Sequence, residues 1–236
     1  MNRKAVIYGD SLMKGTVLDK AYRYRAVMAE NLKRFAQRFN IVAENKSRFG
    51  STSIKGLSLL KRDLAEGMNA DYALLEFGGN DCNFRWNEIS VNPDKRHEPL
   101  TKMDRFIATY RAMIEALRGA NVTPILMTLP PIDAERYLDF LGRNGNNTSK
   151  ILKWLGDVNM IYRYQESYSD AISQVAEDTK TPLVDVRGYF LNRRNYMDVM
   201  SIDGIHPNEE GHRLIYNAFE EFAEEFGIRN AEFGIA

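Results

Sequence analysis

The sequence is poor in the residues that cross-link a chain or build a metal centre. It has 236 residues and a single cysteine, Cys82, so neither an intrachain disulfide nor a zinc site made of several cysteines can form. It has only three histidines, at positions 97, 206 and 212. Any chemistry that needs an imidazole must therefore use one of these three.

The sequence also lacks an excess of charge and a long apolar segment. Lysine plus arginine and aspartate plus glutamate both total 32, so nothing overall favours a nucleic-acid or membrane-surface partner. No apolar run is long enough to cross a bilayer, and residues 1–4 lead into the first apolar run without the pattern of a signal peptide. We therefore expect a protein of the reducing cytoplasm that binds neither nucleic acid nor membranes.

Apolar residues make up 44% of the chain, enough for a sizeable core, and many of them fall into short runs. Five runs are rich in β-branched or aromatic residues and almost continuously apolar. Such runs are typical of strands that are buried on both faces of a parallel sheet. The predicted strands cover residues 5–8, 40–43, 72–77, 123–128 and 182–186.

Between these runs, apolar residues recur every three or four positions, which predicts helices with one core-facing side. The pattern covers residues 54–64, 103–117, 161–175 and 215–226, and the last helix is predicted to begin at Pro207. Alternating strands and helices predict a single α/β domain over residues 1–236, a three-layer α/β/α sandwich around an open parallel sheet. Two long loop insertions are predicted at residues 82–100 and 129–159, either as functional lids or as surface decoration.

Ligands of open parallel sheets bind at the carboxyl ends of the strands, so the residues just after each strand are the candidates for a site. The first predicted strand is followed by Gly9-Asp10-Ser11-Leu12, which is predicted to form a strand-to-helix turn. Two interpretations are open. Asp10 or Ser11 could cap the next helix, or Ser11 could be a nucleophile presented at the rim of the sheet.

The second and third predicted strands are followed by residues that could bind a developing negative charge. Gly50 could bring a bare backbone N–H close to a ligand, or it could form a plain turn. Asn80, within Gly78-Gly79-Asn80-Asp81, offers an amide donor at the same edge of the sheet. It could equally be a turn asparagine bonded to its own backbone.

The positions of the three histidines separate them. His97 lies in a charged loop and is expected to be solvated, whereas His212 lies inside the last helix and is expected to be structural. His206 directly precedes that helix, and Asp203 stands three residues before it. This spacing lets one turn place a carboxylate against the imidazole and fix its tautomer, although a local Asp–His pair can also be purely structural.

Hydrolysis of an ester needs a nucleophile, a base, an orienter for the base and donors for the oxyanion, and these residues supply the whole set. In four blocks the chain resembles the SGNH hydrolases, which are the GDSL-type esterases and lipases. The blocks are Gly9-Asp10-Ser11-Leu12, the glycine Gly50, Gly78-Gly79-Asn80-Asp81 and Asp203-Gly204-Ile205-His206. They follow the family's order and span residues 9–206.

The resemblance implies a flavodoxin-like sandwich with a central five-stranded parallel sheet. It implies a serine esterase acting on small or medium acyl esters, with O-acetyl groups of a carbohydrate or metabolite as one option, and with no metal or organic cofactor. Ser11 would be the nucleophile, His206 the proton carrier and Asp203 its orienter. The backbone N–H groups of Ser11 and Gly50 and the side chain of Asn80 would form the oxyanion hole.

Some features leave the substrate open. Tyr137, Phe140 and Trp154 in the second insertion could wall an acyl or leaving-group pocket, or could simply pack the insertion down. Cys82 directly follows the third block, but nothing else suggests a thiol nucleophile.

Two other functions also stay open. The same site could transfer the acyl group to an alcohol or amine instead of water. Alternatively, a helix beginning near residues 11–16 could bind a phosphate or a flavin, as flavodoxin-like folds do. The second alternative assigns no role to Asn80 or to the pair of Asp203 and His206.

Overall fold

The computed structural model describes residues 3–228 and contains the predicted sheet. The strands are, in chain order, β1 (Arg3–Tyr8), β2 (Thr16–Leu18), β3 (Tyr24–Ala26), β4 (Ile41–Asn45), β5 (Tyr72–Leu75), β6 (Thr123–Met127) and β7 (Leu183–Val184). Five of them form one sheet in the order β4-β1-β5-β6-β7, and every neighbouring pair is parallel. The strands β2 and β3 form a separate antiparallel hairpin. The five-stranded parallel sheet is thus confirmed.

Helices cover both faces of this sheet. They are α1 (Met28–Arg38), α2 (Ser53–Ala65), α3 (Trp86–Val91), α4 (Met103–Gly119), α5 (Ala134–Arg143), α6 (Thr148–Leu155), α7 (Asn159–Thr179), α8 (Val186–Leu191) and α9 (Glu209–Glu225), with a 3₁₀ turn at Tyr196–Val199. Side chains alternate along a strand, so Val6 and Tyr8 of β1 pack with α2, α4 and α7, whereas Ile7 packs with α8 and α9. Two cores on opposite faces of the sheet make the three-layer sandwich.

The strand β4 is less buried than its sequence suggests. It lies at the edge of the sheet, and Val42 is 54% exposed. An edge strand has only one neighbour, so an apolar side chain there can face solvent while the backbone stays paired on the other side. The expectation that all five strands are buried on both faces is therefore wrong for β4.

No helix follows β1, which corrects the predicted strand-to-helix turn. Residues 11–15 form an irregular turn closed by hydrogen bonds from the Gly15 N–H to the Leu12 carbonyl and from the Thr16 N–H to the Ser11 carbonyl. Gly15 has a φ of +69°, and the β-branched Thr16 and Val17 enter β2 directly after it. A left-handed residue cannot continue a helix, so the first helix begins only at Met28.

The last helix also begins later than predicted. Pro207 lies outside α9, and Asn208 caps the helix by accepting hydrogen bonds from the backbone N–H groups of Glu210 and Gly211 at 2.9 Å and 3.1 Å. An asparagine side chain satisfies two of the free N–H groups at the helix start, which the proline ring cannot do. The two acidic residues of the first turn, Glu209 and Glu210, are in the predicted position.

The two long insertions contain helices rather than only loops. The first holds α3, and the second holds α5 and α6. Their apolar sides pack together into a third cluster with the start of α7, and Trp86, Leu138 and Ile151 are buried in it. Among the described residues, no helix is both long and apolar enough to cross a membrane.

Candidate active site

The turn after β1 presents Ser11 at the carboxyl edge of the sheet. The side chain of Asp10 accepts a hydrogen bond from the backbone N–H of Leu12 at 2.8 Å, which tightens the turn in the way asparagine and aspartate often do. Ser11 itself is 8% exposed, and its side chain makes no capping contact. The capping interpretation is wrong, because no helix follows this turn: Asp10 tightens the turn instead, and Ser11 faces the cavity described below.

Ser11 lies next to His206, the histidine that the sequence analysis pairs with Asp203. Ser11 Oγ is 2.8 Å from His206 Nε2, although the two residues are 195 positions apart in the chain. His206 Nδ1 is 2.6 Å from Asp203 Oδ2. If Nδ1 carries the proton and donates it to the carboxylate, Nε2 is free to accept the hydroxyl proton of Ser11. The structure therefore brings the three predicted catalytic residues into one hydrogen-bonded series.

The loop that carries Asp203 and His206 is held by its own turn. Asp203 Oδ1 accepts hydrogen bonds from the backbone N–H groups of Ile205 and His206, each at 3.1 Å. Gly204 between them has a φ of +74°, and a Cβ at this position would lie 2.5 Å from the carbonyl oxygen of Asp133. Only glycine satisfies both the backbone conformation and the space, so the spacing of the Asp–His pair depends on this residue.

The second insertion also holds this loop from outside. The backbone N–H of Asp133 donates to the carbonyl of Gly204 at 2.8 Å. The guanidinium of Arg136 donates to the carbonyls of residues 197, 200 and 201 at 3.1–3.2 Å. Asp133 is the N-cap of α5 and Arg136 lies in its first turn, so this helix is attached directly to the segment that leads to Asp203 and His206.

The three predicted oxyanion donors are placed as follows. Within residues 3–228, the backbone N–H groups of Ser11 and Gly50 have no hydrogen-bond partner. Gly50 has a φ of +68° and no atom within 4 Å of an added Cβ, so the backbone conformation rather than space requires glycine. One N–H of the Asn80 amide donates to Asp10 Oδ2 at 2.7 Å, which leaves its second N–H for a ligand.

Asp81 connects the third block to the start of α2. Its buried carboxylate accepts hydrogen bonds from the backbone N–H and the hydroxyl of Ser53, at 2.9 Å and 2.6 Å. Ser53 is the first residue of α2, so the carboxylate also lies at the positive end of this helix. The third block is thereby tied to the segment that carries Gly50.

A cavity of about 260 Å³ opens in front of Ser11. Apart from the turn and His206, its walls are mostly aromatic and aliphatic side chains from the two insertions and the start of α7, among them Phe84, Trp86, Tyr137, Phe140 and Tyr164. Tyr137 and Phe140 therefore border the cavity. Trp154 does not border it and instead packs against Phe84 and Tyr164, with ring centroids 5.0 Å and 6.3 Å away, so it supports the wall from behind.

A second, smaller cavity of about 90 Å³ lies between α1, α9 and the opposite face of the sheet. Its walls are almost entirely apolar, and Phe35, Ile125 and Phe219 are typical of them. No serine, cysteine, histidine or acidic residue among the described residues lines it, so it offers no nucleophile or acid–base pair like the one that borders the first cavity.

The cysteine of the cavity wall is not activated. Cys82 is buried, and its Sγ lies 3.3 Å from the carbonyl oxygen of Gly79. Burial, with the nearby carboxylate of Asp81 as a smaller cause, raises the pKa of the Cys82 thiol far above its usual range. A thiol that keeps its proton is a poor nucleophile, so Cys82 acts as a small apolar side chain here.

The two remaining histidines lie outside the reacting group of atoms. His97 Nε2 contacts the carbonyl of Asn92 at 2.8 Å, and its ring lies edge-on to Trp154. His212 is fully buried, with Nε2 3.1 Å from the carbonyl of Thr16. Burial lowers the pKa of His212 to about 4, so this imidazole is neutral at physiological pH.

Sequence reasoning missed three residues of the site. Glu76 at the end of β5 is buried under the turn, where its Oε2 accepts a hydrogen bond from the backbone N–H of Asp10 at 3.1 Å. Tyr24 and Phe49 flank the ring of His206, with centroids at 5.8 Å and 6.1 Å. The position of Glu76, two residues before the third block, was the available signal, whereas nothing local marked the two aromatic residues.

The described part of the chain contains no group of three or more His, Cys, Asp or Glu side chains that could hold a metal ion. Solved structures with the same fold include a lipase/acylhydrolase from Enterococcus faecalis, 18% identical over 95% of this chain and 96% of that one, with a TM-score of 0.65. They also include an acetylxylan esterase from Geobacillus stearothermophilus, 20% identical over 98% and 97% of the two chains, with a TM-score of 0.66. Comparison with curated proteins gives no match.

The sequence itself matches a family model. The model describes the GDSL-like lipase/acylhydrolase family, and the match covers residues 7–214. It therefore includes the turn with Ser11, the third block with Asn80 and the loop with His206. The chain belongs to the GDSL-like lipase/acylhydrolase family and is a carboxylic ester hydrolase.

Proposed function

We propose that the protein hydrolyses small or medium acyl esters through an acyl-enzyme on Ser11. The observation that carries this proposal is the hydrogen-bonded series from Ser11 through His206 to Asp203, with contacts of 2.8 Å and 2.6 Å. A serine hydroxyl is a weak nucleophile until a base removes its proton, and an imidazole held by a carboxylate is suited to that task.

The reaction would proceed in two halves. Ser11 Oγ attacks the acyl carbonyl while its proton moves to His206 Nε2, and the carbonyl oxygen becomes an oxyanion. When the intermediate collapses, His206 returns the proton to the departing alkoxide, and the acyl group stays on Ser11. Water then attacks the acyl-enzyme by the same proton transfers and releases the carboxylic acid. Asp203 stabilises the imidazolium that forms in each half.

The oxyanion would be held by donors that no other group occupies. The free backbone N–H groups of Ser11 and Gly50 and the second N–H of Asn80 are the candidates. Donors that are fixed before the reaction stabilise the developing charge without reorganising, which is usually a large part of catalysis.

The surroundings of His206 favour a leaving alcohol that carries a ring. His206 must deliver its proton to the leaving oxygen, so the leaving group passes beside the imidazole. Tyr24 and Phe49 flank this imidazole, yet they remain 49% and 58% exposed. Flat apolar faces of this kind suit the ring of a sugar. We therefore favour an O-acetylated carbohydrate as substrate, in keeping with the acetylxylan esterase that shares the fold.

Acyl transfer to an alcohol or amine remains the second candidate, since the same acyl-enzyme would serve it.

The phosphate or flavin alternative loses its support. It needed a helix beginning near residue 11, and the turn after β1 leads instead into β2.

We place the protein in the cytoplasm, as the single buried cysteine suits a reducing compartment.

The first experiment compares the wild type with Ser11→Ala on p-nitrophenyl acetate. We expect kcat to fall by at least about 10³-fold, because removal of a serine nucleophile costs several orders of magnitude. Ser58→Ala, on the exposed side of α2, is the matched control and should retain wild-type turnover. A fluorophosphonate should label Ser11, as located by mass spectrometry. Undiminished turnover by Ser11→Ala would overturn the proposal.

A further inference from the structure

Two carboxyl groups lie buried against each other under the nucleophile turn. Asp10 is 4% exposed and Glu76 is 1% exposed. The backbone N–H of Asp10 donates to Glu76 Oε2 at 3.1 Å, which places the Glu76 carboxyl directly under the turn. A Cβ on Gly9 would lie 2.8 Å from Glu76 Oε2, so the glycine of the first block leaves the space that this carboxyl fills.

The two carboxyl groups differ in what they contact. Asp10 Oδ1 accepts the N–H of Leu12, and its Oδ2 accepts an N–H of Asn80, and both bonds favour an ionised carboxylate. Burial and the neighbouring charge of Asp10 raise the pKa of Glu76 well above its usual range, whereas the pKa of Asp10 is raised only to about 6. Glu76 is therefore the carboxyl of the pair that keeps its proton more strongly, and Asp10 is the one that ionises first.

The charge on ionised Asp10 decides how the Asn80 amide is oriented. An ionised carboxylate can only accept hydrogen bonds, so it attracts the amide nitrogen of Asn80 and repels the amide oxygen. With the nitrogen turned toward Asp10 at 2.7 Å, the second N–H of the same amide remains available to a ligand. If the amide were flipped, its oxygen would face both the carboxylate and, on the other side, the developing oxyanion.

We propose that Glu76 is a positioning residue for the oxyanion hole: its carboxyl holds the backbone N–H of Asp10, and the Asp10 side chain in turn orients Asn80. This inference rests on the proposed esterase function. Glu76 serves as a proton-bearing partner that bonds to Asp10 without adding a second negative charge. A second charge under the turn would oppose the negative charge that develops on the substrate oxygen.

The proposal separates two substitutions of similar size. Glu76→Gln keeps a neutral group with one donor and one acceptor, so we expect kcat on p-nitrophenyl acetate to stay within about threefold of the wild type. Glu76→Met keeps the volume but cannot accept the N–H of Asp10, and we expect kcat to fall by about 10- to 100-fold with KM within about twofold. Loss of one oxyanion donor costs about 10²–10³-fold, and a misoriented donor should cost part of that.

A double-mutant cycle with Asn80→Ala tests whether Glu76 acts through the amide. With Asn80 truncated, Glu76→Met should lower kcat by no more than about twofold further, because the group that it positions is gone. If Glu76→Met fails to fold, Asp10→Asn replaces it in the same cycle. An asparagine at position 10 has one acceptor oxygen for the N–H groups of both Leu12 and Asn80, so it should show the same dependence on Asn80.

The outcomes separate this inference from the proposed function. Equal losses in Glu76→Gln and Glu76→Met would overturn it, because they would show that the carboxyl group itself is required. Full kcat in Glu76→Met, or losses that simply add to that of Asn80→Ala, would overturn it as well. Failure of the esterase proposal would instead appear in the wild type and in Ser11→Ala, before any Glu76 variant is measured.

Discussion

Asp203 contacts His206 with both oxygens of its carboxylate. Oδ2 lies 2.6 Å from the ring Nδ1, and Oδ1 accepts the backbone N–H of the same residue at 3.1 Å. One carboxylate thus fixes the orientation of the imidazole and the conformation of the loop that carries it. Because Asp203 is completely buried, its attraction for an imidazolium is weakened little by solvent.

Asp203→Asn should therefore separate orientation from charge. The amide preserves the volume, but it supplies no negative charge to stabilise the imidazolium. We therefore expect kcat on p-nitrophenyl acetate to fall by about 10²–10⁴-fold. Asp170→Asn, an exposed aspartate on α7, is the control and should retain wild-type kcat. A Asp203→Asn enzyme with more than a tenth of wild-type kcat would contradict the assigned role.

Gly204→Ala should lower both stability and activity. Its Cβ would meet the Asp133 carbonyl at 2.5 Å, and the residue has a φ of +74°. Gly145 is the matched control, because its φ is +87° but nothing lies within 4 Å of an added Cβ. We expect Gly145→Ala to cost about 1 kcal/mol through strain alone and Gly204→Ala to cost clearly more.

Urea unfolding and kcat measured on both glycine variants check this prediction. Displacement of the loop should lower kcat by at least about tenfold in Gly204→Ala, given the sensitivity of catalysis to small displacements. Gly145→Ala should retain wild-type kcat. Equal losses in the free energy of unfolding of the two variants would show that the contact with the Asp133 carbonyl does not destabilise Gly204→Ala.

Arg136 should matter for activity although it lies outside the cavity wall. Arg136→Met removes the donor to three carbonyls of the segment before Asp203, and each bond contributes about 1 kcal/mol. We expect a loss of about 1–3 kcal/mol in the free energy of unfolding and a clear decrease in kcat. Arg163→Met, an exposed arginine on α7, should change neither. A decrease in stability without any change in kcat would show that the hydrogen bonds of Arg136 stabilise the fold but do not help to position Asp203 and His206.

His212 predicts how stability depends on pH. Its pKa is about 4 in the folded protein, whereas an unfolded histidine titrates near about 6.5. Between these values the unfolded chain binds more protons, so the stabilisation is complete above about pH 6.5 and is lost as the pH falls toward 4. The full interval corresponds to about 3 kcal/mol.

The check compares urea unfolding of the wild type and His212→Gln between pH 4.5 and 7.5, where the glutamine amide can still donate to the Thr16 carbonyl. The difference between the two proteins isolates His212 from the other titrating groups, including Asp10 and Glu76, whose raised pKa values act in the opposite direction. If the free energies of unfolding of the two proteins changed in parallel with pH, the buried imidazole of His212 would not be the cause of the pH dependence.

The parts of the molecule that the sequence determines are those with short-range causes. Continuous apolar runs placed five strands within a few residues, and for the strands other than the edge strand β4 the reason is that burial on both faces leaves little room for polar positions. The pair of Asp203 and His206 needed only a spacing of three residues. In contrast, the capping asparagine at position 208 and the helices of the insertions depended on side-chain bonds and packing that periodicity alone does not reveal.

Only the tertiary structure decided what surrounds Ser11. Glu76 meets Asp10 across 66 residues of chain, and Tyr24 and Phe49 reach His206 from two other segments. The turn after Ser11 leads into a hairpin because Gly15 takes a left-handed conformation, and that hairpin carries Tyr24 to the cavity. The sequence determined that a serine, a histidine and an asparagine follow strands or precede a helix. Their distances, the raised pKa of Glu76 and the shape of the cavity arise from burial between distant segments, which no local pattern contains.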